Sequence, residues 1–380
     1  MKRKTGRTGK KRKKKSWLAR IAMGILSTLF VLLLTLGLVG IVIYKSGEMS
    51  LKASASSAAP RLEVDEEEVE KIRESLGYNQ SVAWQDDWIT YDGKVYEYRE
   101  DTLSFLLLGI DHSGSLSSET ELSDWSAGQA DTIFLVSLNQ EDKALSVIGI
   151  PRNSLVDVEV FNSDKECIET IRDQICLQYA YAGGGRLGLE KMTESVSTLF
   201  GGLPIHGACA VSFDAVSVIT DRLGGIEVVV PDDMTAYKSS YTQGSVQMLT
   251  GDNVVNYLRY RDMHTLGSPT VRLTRQKAFM KVAANRAIQE IKSNPAFVKD
   301  AYEAIKPYMN TDITVDEAVY IATKALDCTL SERSFYQITG EDRADYIDED
   351  NYYNDYYLNE DELKKIMIDV FYKEVRISDR

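Results

Sequence analysis

The apolar positions change period several times along the chain, and each change marks an element. Residues 21–44 (IAMGILSTLFVLLLTLGLVGIVIY) are twenty-four in a row without a charge. At about 1.5 Å per residue such a helix crosses a hydrocarbon layer of roughly 30 Å with some tilt. The next stretch, SGEMSLKASASSAAP, is small and polar and reads as a flexible tether. Residues 65–76 (DEEEVEKIRESL) read as an exposed acidic helix, and 88–98 (WITYDGKVYEY) as a hairpin turning at Asp92-Gly93 in type I′ geometry. Three short apolar runs follow, 104–110, 132–139 and 144–150, the last two joined by QEDK. They predict three core strands.

Helical and strand patterns then alternate. Leu189, Met192, Val196 and Leu199 recur at helical spacing, with Gly201-Gly202 as a stop. The pattern repeats from Phe213 to Leu223, ends at Gly224-Gly225, and is followed by the strand IEVVV at 226–230. A helix starts near Thr250 and runs to 261, and a long one covers 271–291 with Leu273, Phe279, Val282 and Ala283 on one side. A Tyr-rich acidic stretch covers 341–362, in which ADYIDEDNYYNDYY reads first as a solvated loop and second as a site for Ca²⁺ or a wall polycation; an amphipathic helix follows, with Asn359 and Glu362 in capping-box spacing. This order predicts an α/β (α+β) fold, a three-layer sandwich with a central mixed sheet flanked by helices, preceded by one transmembrane helix. The expected organisation is a basic cytoplasmic segment (1–20), the membrane helix (21–44), a flexible linker (45–64), a small acidic helix and hairpin (65–99), a central domain (100–292) and a C-terminal extension packing on it (293–380).

Charge sharpens the picture at the N-terminus. The chain holds 44 Lys+Arg against 57 Asp+Glu, and eleven of the basic residues lie within 1–20, where there is no acid. The remainder is therefore strongly acidic, 33 positive against 57 negative, which excludes a nucleic-acid-binding body. A basic stretch before an apolar span keeps the N-terminus in the cytoplasm and exports the body. Ala53-Ser54-Ala55 resembles a signal-peptidase site, but the apolar run is far longer than a signal peptide's. In an oxidising compartment Cys167, Cys176, Cys209 and Cys328 would form one or two disulfides, with the pairing open.

There is no GxSxG, HExxH or P-loop, and His112, His206 and His264 lie in unrelated contexts. The distinctive chemistry is arginine within an acidic domain: Arg152 at a strand end, Arg259 and Arg261 as RYR at a helix end, and Arg272 and Arg275 one helical turn apart. Planar guanidinium forks suit phosphate, although surface pairing with nearby carboxylates is the plainer reading of each one. Asp111 follows one core strand and Asp131 precedes the next. Placed at one sheet end, they would hold Mg²⁺ together with substrate phosphate; taken singly, each is a turn residue or cap. Val216, Ile219 and Leu223 read first as core positions and second as the lining of a lipid tunnel.

The runs LLLGID, QADTIFLVSLN, ALSVIGIPRNSLVDV, LQYAYAGG and LRYR…VRLTRQK, in this order over roughly residues 100–290, resemble the LytR-CpsA-Psr family. The resemblance implies an extracellular, membrane-anchored phosphotransferase that moves an anionic glycopolymer, teichoic-acid-like or capsular, from a polyprenyl-pyrophosphate carrier to peptidoglycan. It implies Mg²⁺ (or Mn²⁺) on Asp111 and Asp131, with the isoprenoid tail in an apolar tunnel. Arg152, Arg259, Arg261, Arg272, Arg275 and Gln276 would bind pyrophosphate, and Asp111, Asp131, Arg152, Arg259 and Arg261 would act in catalysis. The partners implied are lipid-linked glycopolymer, peptidoglycan and membrane, with no nucleic acid. Three positions depart from the family pattern: Asn153 in place of Asp, Gln129-Ala130 in place of Arg-Ser, and SPTV without an Asp before Arg272. A catalytically weak binder of lipid-linked glycan, or an envelope regulator, is the alternative these departures raise.

Overall fold

Strands β1 (Ile89–Tyr91) and β2 (Lys94–Tyr98) pair as an antiparallel hairpin, and both turn residues, Asp92 and Gly93, have positive φ (49° and 72°) as a type I′ turn requires. Helix α1 (Glu66–Gly77) precedes them. The computed structural model describes residues 42–51, 59–62, 66–77, 84–85, 88–116, 127–262, 265–328, 330–346 and 352–375. The basic segment and nearly all of the expected membrane span, residues 1–41, lie outside these. Among the described residues no helix is long and apolar enough to cross a membrane.

The three apolar runs form β3 (Thr102–Ile110), β4 (Ala130–Asn139) and β5 (Ala144–Gly149), the antiparallel centre of a six-stranded sheet. Its full order is β11-β8-β3-β4-β5-β12, where β8 is Gly207–Val211, β11 is Met309–Thr311 and β12 is Phe335–Gln337. β8 runs parallel to β3 and β12 parallel to β5, so the sheet is mixed. Alternate residues point to opposite faces, and both faces are covered. On one, Leu106, Leu108, Ile133, Leu135 and Ile148 pack with α2 (Gly185–Leu199) and α8 (Glu360–Phe371). On the other, Leu273 of α5 (Ser268–Ser293) meets Phe134 and Val147, while Tyr320 of α7 (Val315–Leu326) packs with Phe105 and Leu138. Each side chain so enclosed contributes about 1.5–3 kcal/mol relative to exposure. Helices α3 (Phe213–Arg222) and α4 (Gly251–Arg259), the ribbon β9 (Ile226–Val229)–β10 (Val246–Leu249) and Phe279 of α5 enclose a second core. A further helix, α6 (Phe297–Ile305), follows α5.

The C-terminal region does more than pack on the central domain. β11 and β12 are sheet strands, and β15 (Tyr372–Glu374) becomes the third strand beside β2. Three-residue strands are too short to show a period of two. The described residues of the Tyr-rich acidic stretch are likewise not a solvated loop. Residues Gly340–Tyr346 (β13) and Tyr352–Leu358 (β14) pair antiparallel, with Tyr356 buried while its neighbours Tyr353 and Tyr357 face out.

Two other expectations need correcting. The described parts of the linker are anchored: residues 42–51 are helical, Leu51 is buried, and the Tyr44 and Tyr320 rings lie 5.0 Å apart. Gly47 sits so close to α7 that a Cβ would come within 2.4 Å of the Asp316 carbonyl oxygen. Farther on, Arg61 N–H donates to Gly201 O at 2.6 Å. All four cysteines are free thiols, so the expected disulfides are not present.

Candidate functional site

The C-terminal ends of β3, β5 and β8 and the start of β4 share one end of the sheet, and all the sequence-predicted residues but Arg275 collect there. Register explains how. Gly109 pairs with Thr132 but Ile110 pairs with Ala130, so Asp131 is the extra residue of a β-bulge, a device that turns one side chain out of the pleat. The carbonyl of Gln129 accepts from the backbone N–H of both Asp111 (2.8 Å) and Asp131 (2.9 Å), locking the two aspartates to one point. Gly128 makes that turn with φ of 77°, and a Cβ there would lie 2.8 Å from the Asp111 carbonyl oxygen.

Asp131 is gripped from two sides, its Oδ1 by Arg152 Nε at 2.9 Å and its Oδ2 by Arg272 Nη1 at 2.8 Å, with all three side chains largely buried. Arg152 also donates to the Gln129 side-chain oxygen. Asp111 is more open and accepts from Arg259 Nη2 at 3.0 Å, while the Arg259 guanidinium lies 4.4 Å from the centre of the Phe213 ring. Half-buried Arg261 makes no ion pair with a described residue. Burial, then repulsion from Arg272 and Arg152, lowers its pKa from the usual arginine value. The pKa of Arg272 is lowered as well, chiefly by burial. Four arginines thus face two aspartates, a surplus of two positive charges.

Beneath them is a small cavity of about 40 Å³, lined by Val216, Val255 and Leu258 together with Asp131, Arg259, Arg272 and Gln276. Val216 is therefore a lining residue, whereas Leu223 is core and Ile219 packs against it. The Gln276 side-chain oxygen is buried there without a hydrogen-bond partner among the described residues. A larger groove of about 770 Å³ lies elsewhere, along β6 (Leu155–Phe161), α2 and α8, and contains none of these arginines.

Arg275 does not join the cluster, contrary to the sequence reading. One helical turn from Arg272, it points elsewhere and forms a two-pronged pair with Asp232, with Nε to Oδ1 at 3.0 Å. Its Nη1 donates to Tyr260 O at 2.7 Å and to Tyr257 O at 3.2 Å. Positions three apart on a helix differ by about 60° in direction, enough for a carboxylate on the flank to capture the second side chain. Its place is structural: it fixes the end of α4 and hence the RYR segment. Phe213 and Cys176 were missed. Buried Cys176 lies beside Arg152 and Gln129, and burial pushes its pKa up to about 11. Neither carried a sequence signal, because each reaches the site only through the sheet register.

Among the described residues no three His, Cys, Asp or Glu side chains form a metal cage. Asp111 and Asp131 fit a hard cation only as a pair whose remaining ligands are phosphate and water oxygens.

Fold and site together define an α/β protein with an arginine-rich cluster at one end of its sheet, over a small cavity. Residues 64–369 match the model of the LytR_cpsA_psr family, and the chain belongs to that family. It is 24% identical over 314 residues to a protein of Bacillus cereus named polyisoprenyl-teichoic acid–peptidoglycan teichoic acid transferase TagU, covering 82% of this chain and 88% of that one. To Bacillus subtilis TagT, named as the same kind of transferase, it is 22% identical over 326 residues, 84% of each chain. The crystal structure of B. subtilis TagV superposes with a TM-score of 0.53 at 20% identity, covering 71% of this chain and 96% of that one, and shares the fold.

Proposed function

We propose that this protein is a membrane-anchored, extracellular phosphotransferase that moves an anionic glycopolymer, teichoic-acid-like or capsular, from a polyprenyl-pyrophosphate carrier to peptidoglycan. The observation that carries the proposal is the charge surplus: Arg152, Arg259, Arg261 and Arg272 exceed Asp111 and Asp131 by the two charges a pyrophosphate diester brings. The apolar cavity below supports a prenyl chain leaving downward, between α3 and α4. At 40 Å³ it holds no more than the first few carbons, so α3 and α4 would part to admit a tail. The names of the transferase relatives point the same way.

In this reading Arg261, with no ion pair to a described residue, takes the phosphate oxygens first, and Arg259 leaves Asp111 to share them. Arg152 and Arg272 hold Asp131 in place and face the leaving polyprenyl phosphate. The acceptor hydroxyl oxygen bonds to the sugar-side phosphorus as the bond from that phosphorus to the bridging oxygen breaks. Asp111 takes the hydroxyl proton, since its Oδ2 has no hydrogen bond to a described residue. A bound Mg²⁺ or Mn²⁺, held by Asp111 and Asp131, would neutralise charge on the pyrophosphate.

Release of polyprenyl phosphate from a polyprenyl-pyrophosphate glycan, followed in Mg²⁺ and in EDTA, tests this. Asp111→Asn is expected to abolish turnover while leaving thermal stability near native, because its pair with Arg259 is exposed. Asp131→Asn is expected to abolish turnover and lower stability as well, since two largely buried guanidiniums lose their carboxylate. Native turnover in both variants would overturn the catalytic assignment. Lipid bound tightly but never turned over by the native chain would leave it a binder.

A further inference from the structure

We infer that Asp342, on the C-terminal hairpin, is a positioning residue for the arginine cluster, its carboxylate tying the loop that carries Arg152 to the helix that carries Arg272. The inference deepens the phosphotransferase reading and rests on it for its catalytic meaning. The geometry itself does not.

Two arms hold Asp131, and they come from separate parts of the chain. One is the loop after β5, where Arg152 precedes Asn153. The other is the first turn of α5, where Thr270 precedes Arg272 by two residues. β13–β14 lies across both. Asp342 Oδ2 accepts from Thr270 Oγ1 at 3.2 Å, and its Oδ1 lies 3.4 Å from Asn153 Nδ2. Asn354, on the facing strand, completes the tie with its amide turned to satisfy both atoms. It then donates to Asp342 Oδ1 at 3.0 Å and accepts from Gly267 N–H at 3.1 Å. Asn153 Nδ2 donates to the Asn354 backbone carbonyl at 2.7 Å, and Asn153 O accepts from Tyr356 N–H at 2.9 Å. The hairpin is itself well held, because Tyr356 is buried and Gln174 donates to Asp355 at 2.9 Å.

A carboxylate suits position 342 because both of its oxygens accept, one toward each arm; an amide there has a single acceptor. Position 153 needs the reverse. The Asn153 side chain is buried with its NH₂ aimed at the oxygens of Asp342 and Asn354, so a carboxylate there would meet oxygens with no proton between them. Asn153→Asp in the native background therefore places two carboxylates in contact. It damages the site instead of improving it, and an amide at position 342 would relieve only one of the two oxygen contacts.

The test uses the full chain and three variants, Asp342→Asn, Asn153→Asp and the double variant, with two measurements. Amide hydrogen exchange reads the two arms, residues 151–154 and 267–272, against strands 103–108 and 133–138 as the control for folding. Calorimetry with geranylgeranyl pyrophosphate in MgCl₂ reads the site. Asp342→Asn is expected to speed exchange in both arms together, with the control strands unchanged, and to weaken affinity about tenfold, as loss of a hydrogen bond to a charged group does. Asn153→Asp is expected to weaken it similarly. The double variant relieves the carboxylate pair but not the contact with the Asn354 backbone carbonyl, so it is expected to regain part of the affinity that Asn153→Asp alone loses, which two independent lesions would not do. The inference is overturned if Asp342→Asn leaves either arm's exchange as in the native chain, or if Asn153→Asp alone tightens binding. If the native chain binds no pyrophosphate lipid, the phosphotransferase reading fails, and the exchange data still decide whether Asp342 ties the arms.

Discussion

Arg275 has every polar contact it needs from the protein itself: two prongs on Asp232, two backbone carbonyls, and the rings of Tyr257 and Tyr260 within 5.7 Å. Arg261, fourteen positions earlier, has none of these and lies where the other arginines repel it. Opposite consequences are expected on truncation. Arg275→Ala leaves a mostly buried Asp232 unpaired and should destabilise the fold by about 3–5 kcal/mol, read as a lower denaturant midpoint. Arg261→Ala relieves repulsion, so stability should hold or rise, while pyrophosphate binding weakens by about 1.5–3 kcal/mol. The reverse pattern would mean that the two residues have been assigned to each other's places. The sequence reads both arginines as phosphate ligands and carries no sign of Asp232, since which carboxylate stands on the flank is decided by the loop after β9. The bulge that aims Asp131 is equally silent, because it is a property of two paired strands and not of either run.

At the scale of elements, long and strongly periodic segments were legible and short or polar ones were not. The three apolar runs, the Asp92-Gly93 hairpin and the helices at 185–199, 213–222 and 360–371 all form where the pattern puts them. The helix expected to 261 stops at Arg259, because Tyr260 leaves helical geometry with ψ of 132° and its carbonyl accepts from Arg275. The strand pair 340–346 and 352–358 stayed hidden because its inward positions include Asp342, Asn354 and Tyr356, which bury polar groups against the site and leave no apolar alternation to see. β3 and β8 carry a further testable contact. His206 Nδ1 accepts from Ser104 N–H at 3.1 Å, which only the unprotonated nitrogen can do, and burial lowers its pKa from 6.5. The unfolded chain therefore binds the proton more readily, so this stability is fully present above pH 6.5 and declines as pH falls through the depressed value. Between pH 7.5 and 5 the native chain should lose more thermal stability than His206→Asn, whose amide oxygen accepts the same bond without titrating. Equal losses would show that His206 is not the titrating group.

For the whole molecule, the strand-forming C-terminal segments and the docked 42–51 helix make one body of what the sequence divides into linker, domain and extension. That body presents the arginine end of its sheet, and the anchored, extracellular placement proposed for it has a direct check. Protease applied to intact, wall-stripped cells should digest the chain beyond residue 51 and spare the basic N-terminus; a protected body would refute that orientation. Mass spectrometry of the full chain purified from its membrane is predicted to find one polyprenyl-pyrophosphate lipid per protein, retained in Mg²⁺ and lost in Arg261→Ala. A native chain that purifies without such a lipid, and takes none up when it is supplied with Mg²⁺, would contradict the phosphotransferase reading.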